Sequence, residues 1–328
     1  MLKVALVGCG TMGKTHAQGY GTIPNAKVVA VCDIREEEGR KVADIFGAKY
    51  YQDYDRMLAE GDFDVVDLCI PTYMHKDFAI KAMELRKHVF CEKPIANTVE
   101  DAQIMIDKAQ EMGVKFSIGH VVRFFPAYKK AIETIQEGRI GTPKLIRTTR
   151  NGAYPSWSWQ DWYSNYEYSG GPLVDLVIHD LDWIIHHFGD VKRVYAKSLN
   201  GKIKGQDHCL VTLRLNNGAI AHVEGSWGYP QGAIFGSTFE VIGTQGQIEF
   251  DSRKSSPIQK QTNHGTFSCS FENPLQPNEE PYTHELQVFI NAVVENQAPL
   301  ITGEQAKKAL QVALAAIESS KTGQPVTL

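Results

Sequence analysis

Asp175 and His179 stand four residues apart in the run Gly170-Gly171-Pro172-Leu173-Val174-Asp175-Leu176-Val177-Ile178-His179-Asp180-Leu181-Asp182. On a helix that spacing puts both side chains on one face. A carboxylate can then orient an imidazole, or both can line a cleft, and histidine suits general-base work near neutral pH. The plainer reading is a buried histidine satisfied by its helical neighbour. Asp182 adds a third donor, but no further ligand stands at a recognisable spacing, so no metal is expected. Lys93 is the second candidate. In Glu92-Lys93-Pro94 the proline keeps it out of the helical region and extended. A lysine held at a strand end suits a proton network; the plainer reading is a surface lysine ahead of a helix-starting proline.

The third pattern is Gly8-Cys9-Gly10-Thr11-Met12-Gly13, directly after the apolar run Val4–Val7. This is a G-x-G-x-x-G turn opening a helix. Its first glycine permits the tight turn, its second lets backbone approach a pyrophosphate, and its third lets helix pack on strand. Backbone N–H groups of Gly10, Thr11 and Met12 and the helix dipole would face the phosphates. Asp33 lies twenty residues beyond Gly13, where a carboxylate accepts from ribose hydroxyls. Asp33 favours NAD. Arg35 could swing over a 2′-phosphate, so NADP stays open. No G-K-[ST] loop points to ATP.

These residues need a scaffold. The first 120 or so residues alternate apolar runs (Val4–Val7, Val28–Cys32, Val65–Ile70, His88–Cys91, Val114–Ile118) with helical patterns. Continuous apolar strands between helices imply right-handed βαβ units and a doubly wound parallel sheet. The spacing predicts a helix over Val99–Met112, with Thr98 and Asp101 as a capping box and Gly113 as the stop. Ligands bind at the carboxyl ends of such strands, which places Pro71, Thr72, His75, Glu92 and Lys93 near the cofactor. After Gly119 the texture changes. Helices are expected at Ala127–Gln136, Leu173–Phe188, His284–Val294 and Glu304–Ser319, with strands at Lys144–Arg150, Cys209–Leu215, Ile220–Trp227, Phe239–Ile242 and Gln247–Asp251. That grouping predicts a separate α+β domain with a largely antiparallel sheet. The boundaries are 1–120 and 121–328, with 252–281 partly loop.

The whole-chain balance narrows the function. The chain has 328 residues, 43% apolar and 22% charged, with a net charge of −4. No basic excess advertises nucleic acid or an anionic membrane. No apolar run approaches the roughly 18 residues of a membrane span, and the first apolar run is too short for a signal-peptide core. The six cysteines are scattered without a Cys-x-x-Cys pair, so a reducing cytoplasm is expected.

Taken together, Gly8–Gly13, Pro71–His75, Glu92-Lys93-Pro94, Arg123–Pro126 and Ser169-Gly170-Gly171 through Asp175 and His179 resemble the glucose–fructose oxidoreductase / inositol dehydrogenase / rhizopine catabolism (Gfo/Idh/MocA) family over essentially the whole length. The resemblance implies an N-terminal Rossmann domain and a C-terminal α+β domain whose open sheet forms a homodimer or homotetramer interface. It implies hydride transfer between NAD(P) and a carbinol carbon of a sugar, inositol or related polyol. By position, Lys93, Asp175 and His179 match the family's catalytic triad. Thr72 departs from the family's usual Asn, and Pro172 from its third glycine or alanine, which puts a cofactor contact and the helix entry in question. Two other activities share the fold: NAD-dependent transient oxidation during glycoside cleavage, and NAD sensing by a non-catalytic regulator. A polyol has an apolar C–H face, and Trp157 and Trp162 of the aromatic-rich loop are the leading wall residues. Tyr229, Tyr282 and Arg123 are further substrate candidates; Arg123 could instead pair with a carboxylate.

Overall fold

The computed structural model describes residues 1–199, 201–202, 207–254, 258–262, 265–269 and 280–328. The chain divides into two compact units, Met1–Val121 with Leu275–Lys307, and Val122–Pro274 with Lys308–Leu328.

In the first unit, strands β1 (Leu2–Val7), β2 (Ala26–Cys32), β3 (Lys49–Tyr51), β4 (Val65–Leu68), β5 (His88–Glu92) and β6 (Phe116–Gly119) form one sheet. All its pairs are parallel, in the order β3-β2-β1-β4-β5-β6. This is the doubly wound order, and it reverses between β1 and β4. The three-residue β3 was not legible as a strand, because Lys49-Tyr50-Tyr51 is too short to show a period. The helix Val99–Met112 has the expected ends: the Thr98 side chain accepts from Asp101 N–H, and Gly113 is left-handed.

The late helix Pro281–Val294 belongs to this unit, not to a domain spanning 121–328. Its Leu286, Phe289 and Ile290 are buried in the core with Val4, Leu6, Val28 and Phe90. The Phe90 and Phe289 rings lie 5.5 Å apart. Gly19 leaves room for the helix, since a Cβ there would press on Thr283 and Leu286 at 3.1–3.3 Å.

In the second unit, β7 (Pro143–Ala153), β8 (Val191–Leu199), β9 (His208–Leu215), β10 (Ile220–Tyr229), β11 (Gly236–Gly243), β12 (Gly246–Asp251), β13 (Ile258–Thr262), β14 (Gly265–Cys269) and β15 (Val326–Thr327) form a sheet ordered β14-β13-β12-β11-β7-β10-β9-β8-β15. Every pair is antiparallel except β7 with β10. Part of the expected loop 252–281 is therefore the β13–β14 pair; 255–257, 263–264 and 270–279 lie outside the described residues. Helices cover one face, with Trp183, Tyr128 and Phe239 packed ring to ring at 4.9–5.2 Å. The Ser319 and Ser320 hydroxyls accept from Ala196 and Ser198 N–H and so occupy donors of β8 beyond the short β15.

The expected helix Leu173–Phe188 is divided. Pro172–Leu176 is one π-turn, Val177 N–H donating to Pro172 O at 2.9 Å, and the α-helix runs Ile178–Phe188. Gly170 and Gly171 lead into it at φ +65° and +64°. A Cβ on Gly170 would sit 2.4 Å from Val174, and one on Gly225 of β10 would sit 2.2 Å from Val177, so the widened turn is tightly seated.

Candidate functional site

The glycine turn has the shape its three glycines suggest. Gly8 adopts φ +89°, and a Cβ there would lie 2.4 Å from the Cys69 carbonyl oxygen. A Cβ on Gly13 would lie 1.8 Å from Gly8 O, whereas one on Gly10 meets nothing within 4 Å. Gly8 and Gly13 thus serve close packing, and Gly10 borders open space. The helix Thr11–Tyr20 starts at Gly10 with no side-chain cap, which leaves its first N–H groups, with exposed Thr11 and half-buried Met12, for an outside acceptor. Buried Asp33 accepts from Cys9 N–H at 2.7 Å and so braces the turn. Arg35 folds back onto it: its N–H and guanidinium reach the carboxylate at 2.8–3.1 Å. The chemistry of this donor set fits a dinucleotide, with Gly10 to Met12 for the phosphates and Asp33 for the ribose.

At the ends of β4 and β5 the expected contacts divide. Half-buried Pro71 and buried Thr72 form the turn Thr72–Met74. His75, an expected cofactor contact, is fully buried, its ring between the carbonyl oxygens of Ile70 (2.9 Å) and Pro94 (2.8 Å). Burial pushes its pKa down. It ties the β4 loop to the lysine segment. Lys93 is half-buried, and the Lys93–Pro94 peptide is cis. Glu92, another expected cofactor contact, is 6% exposed and turns into the unit. Its Oε2 accepts from Lys93 N–H at 3.1 Å and its Oε1 lies 3.0 Å from His16 Nε2.

His16 was missed in the sequence. It is fully buried, with Nδ1 2.8 Å from Asp67 Oδ2. Facing two carboxylates with both nitrogens, the ring is an imidazolium. Burial alone would lower its pKa, but the Asp67 charge and hydrogen bond, with Cys69, hold it well above the ordinary value. Burial alone would raise the Glu92 carboxyl, yet His16 and Lys93 hold it below the usual range. Burial pushes the Cys69 thiol up. His16, Asp67 and Cys69 donors lie within 4.8 Å of one another. The ring nitrogens are already turned to carboxylate oxygens, which describes a hydrogen-bonded network better than a ligand shell. A signal was available: Asp67 is the one charge in the apolar run Val65–Leu68. Tyr282 belongs to this first unit; its phenol is raised by burial and by the charge of Glu92.

The second unit carries Asp175 and His179. Asp175 is 7% exposed within the π-turn, and half-buried His179 is the second residue of the α-helix. Both neighbours of that helix start are locked. Arg150 of β7 forks onto fully buried Asp180 (2.7 and 3.2 Å) and reaches Tyr128 Oη at 3.2 Å. Arg123 forks onto buried Asp182 (2.7 and 2.6 Å) and lies 3.1 Å from His186 Nδ1. Arg123 therefore takes the ion-pair role, and Asp182 is an ion-pair acceptor rather than a third ligand.

The aromatic loop is a stack. The Trp162 ring lies on Tyr163 at 4.1 Å and 28°, and Trp157 meets Tyr163 edge-on at 6.1 Å. Tyr163 in turn meets Trp227 at 5.3 Å, and Trp227 packs with Tyr154 and Leu176, the residue after Asp175. Tyr154 Oη donates to Asp161 at 2.6 Å, pinning a loop in which Gln160 and Asp161 both hold positive φ. Trp157 is 65% exposed, and Tyr229 at the end of β10 is also exposed. Trp227, buried in a strand, was not legible as part of this wall.

Residues 2–120 match the profile of the Gfo/Idh/MocA oxidoreductase family, NAD-binding Rossmann fold, and residues 128–249 match its C-terminal domain. The chain is 31% identical to scyllo-inositol 2-dehydrogenase (NAD+) of Bacillus subtilis, over 100% of this chain and 96% of that protein. It is 29% identical to myo-inositol 2-dehydrogenase of Thermotoga maritima, over 100% and 98%. A crystal structure of a probable dehydrogenase from Thermotoga maritima superposes with a TM-score of 0.84 at 28% identity, over 99% of this chain and 98% of that one.

Proposed function

The chain belongs to the Gfo/Idh/MocA oxidoreductase family, and on that premise we propose that it is a dehydrogenase acting on a carbinol carbon of an inositol, sugar or related polyol. Bound NAD supplies the hydride acceptor. Gly10, Thr11 and Met12 hold its pyrophosphate, on a turn that Gly8 and Gly13 close by tight packing, and Asp33 holds its ribose. The Asp33 carboxylate favours NAD over NADP, because a 2′-phosphate would face its negative charge, while the Arg35 guanidinium paired with it offsets part of that charge. Oxidising an alcohol requires removal of its O–H proton as hydride leaves. His179 takes that proton. Asp175 hydrogen-bonds a neighbouring hydroxyl, and Lys93 stabilises the developing alkoxide.

The observation that carries the substrate class is the stack Trp162–Tyr163–Trp227 abutting Leu176 beside Asp175. The stack packs on Leu176, the chain neighbour of Asp175, and an aromatic wall on that segment suits a ligand with C–H faces and hydroxyls. Two inositol dehydrogenases among full-length relatives support the same class.

The test is NADH absorbance across inositol isomers, glucose, galactose and xylose, with NAD and with NADP. One polyol should yield NADH, and His179→Ala should lower kcat by about 10²–10⁴. Absence of NADH from every polyol, or unchanged turnover in the variant, would overturn the reading.

The proposal extends to assembly and compartment. Tyr195, Leu199, Leu210 and Ile220 are exposed on β8, β9 and β10, and apolar side chains there favour a homodimer or homotetramer through this sheet. Sedimentation velocity checks this, and a monomer at micromolar concentration would refute it. The unbridged cysteines of the described set suit the cytoplasm.

A further inference from the structure

Lys93 stands between two residues that are each gripped by a buried histidine. On one side, Glu92 Oε1 is held by His16 (3.0 Å) while its Oε2 accepts the Lys93 N–H (3.1 Å). On the other, the Pro94 carbonyl is held by His75. His16 lies on the helix that opens at the glycine turn, and its second nitrogen is fixed by Asp67 of β4. Glu92 has no slack. It pairs in register with Gly119 of β6, where a Cβ would come 3.0 Å from Oε1.

We propose that His16 is a positioning residue for Lys93: by fixing the Glu92 carboxylate against the Lys93 N–H, it sets where the lysine stands, and it joins that position to the helix that begins at the phosphate turn. The assignment rests on the reading of Lys93 as a group that acts on the alcohol. His16 itself touches no reacting atom. Its two nitrogens do separate jobs. Nδ1 anchors the ring on Asp67, and Nε2 delivers the hold on Glu92.

That division gives the experiment. His16→Asn keeps a donor near the Nδ1 position and loses the reach to Glu92; His16→Gln places a donor near the Nε2 position. Hydrogen exchange on the full chain without substrate reads the Lys93 segment directly. His16→Asn should speed exchange in peptides covering 88–98 and leave the helix Val99–Met112 unchanged, and His16→Gln should recover most of the protection. In turnover with NAD and whichever of inositol, glucose, galactose or xylose yields NADH, His16→Asn should lower kcat by about ten- to a hundredfold, the scale of a misplacement near 1 Å. Its KM for NAD should move far less. Gly119→Ala crowds the same carboxylate without touching His16 and should reproduce the exchange change.

Wild-type protection of 88–98 in His16→Asn would overturn the proposal. So would equal losses in the Asn and Gln variants that track a fall in melting temperature, since that is the mark of packing alone. Lost protection with wild-type kcat would leave His16 as the holder of Lys93 and overturn the catalytic reading of the lysine.

Discussion

In the first unit the strand end carrying Lys93 is braced by one imidazolium between Asp67 and Glu92, while in the second the helix start carrying His179 is braced by guanidinium forks on Asp180 and Asp182. Both devices are buried, and both bring a cation from one element to carboxylates on another. They differ in what the cation can do when a partner is lost. An arginine keeps its charge at any accessible pH and grips a carboxylate with two parallel bonds. A histidine can shed its proton and become neutral. The helix is therefore held by a fixed charge, and the strand end by a titratable one.

The largest effect expected from this difference is on stability. Asp180→Asn strands the Arg150 guanidinium, itself 7% exposed, and breaking a buried pair typically costs about 3–5 kcal/mol. Asp67→Asn should cost less, because His16 can discharge. All five tryptophans (157, 159, 162, 183 and 227) lie within Val122–Pro274, so tryptophan fluorescence during urea unfolding follows the second unit. Equal losses for the two variants, each followed by exchange within its own unit, would erase the contrast.

A smaller effect should appear as opposite pH slopes. The pKa of His16 is held above its ordinary 6.5. The stability it contributes is complete below 6.5 and lost as pH rises through the raised value. In the second unit burial, with the charges of His186 and Arg123, lowers His187 to about 3. There the folded unit keeps a neutral ring while the unfolded chain takes up a proton below 6.5, so stability falls as pH drops from 6.5 toward 3. Fluorescence-detected melting should show the acid limb, flattened in His187→Gln. Exchange in 1–121 should show the alkaline one, absent in His16→Gln. A common slope in both units would sink the distinction.

What the residue order determined by itself is local. The glycine turn, the capped helix Val99–Met112 and the apolar parallel strands follow from spacings of a few residues, because turn geometry, capping and side-chain period act within one element. The same holds for the placing of Lys93 at a strand end. Partnerships were decided only by the tertiary structure. Glu92 and His75 look like cofactor contacts from their place after a strand, yet packing turns one to His16, 76 residues away, and the other to the Pro94 carbonyl. Arg123 finds Asp182 across 59 residues and Arg150 finds Asp180 across 30. The π-turn at Pro172–Leu176 replaces the first turn of an expected helix, tightly seated against Gly225. A buried charge must be paired wherever the fold has brought an opposite one. That choice depends on which strands lie side by side, which a period along the chain does not encode.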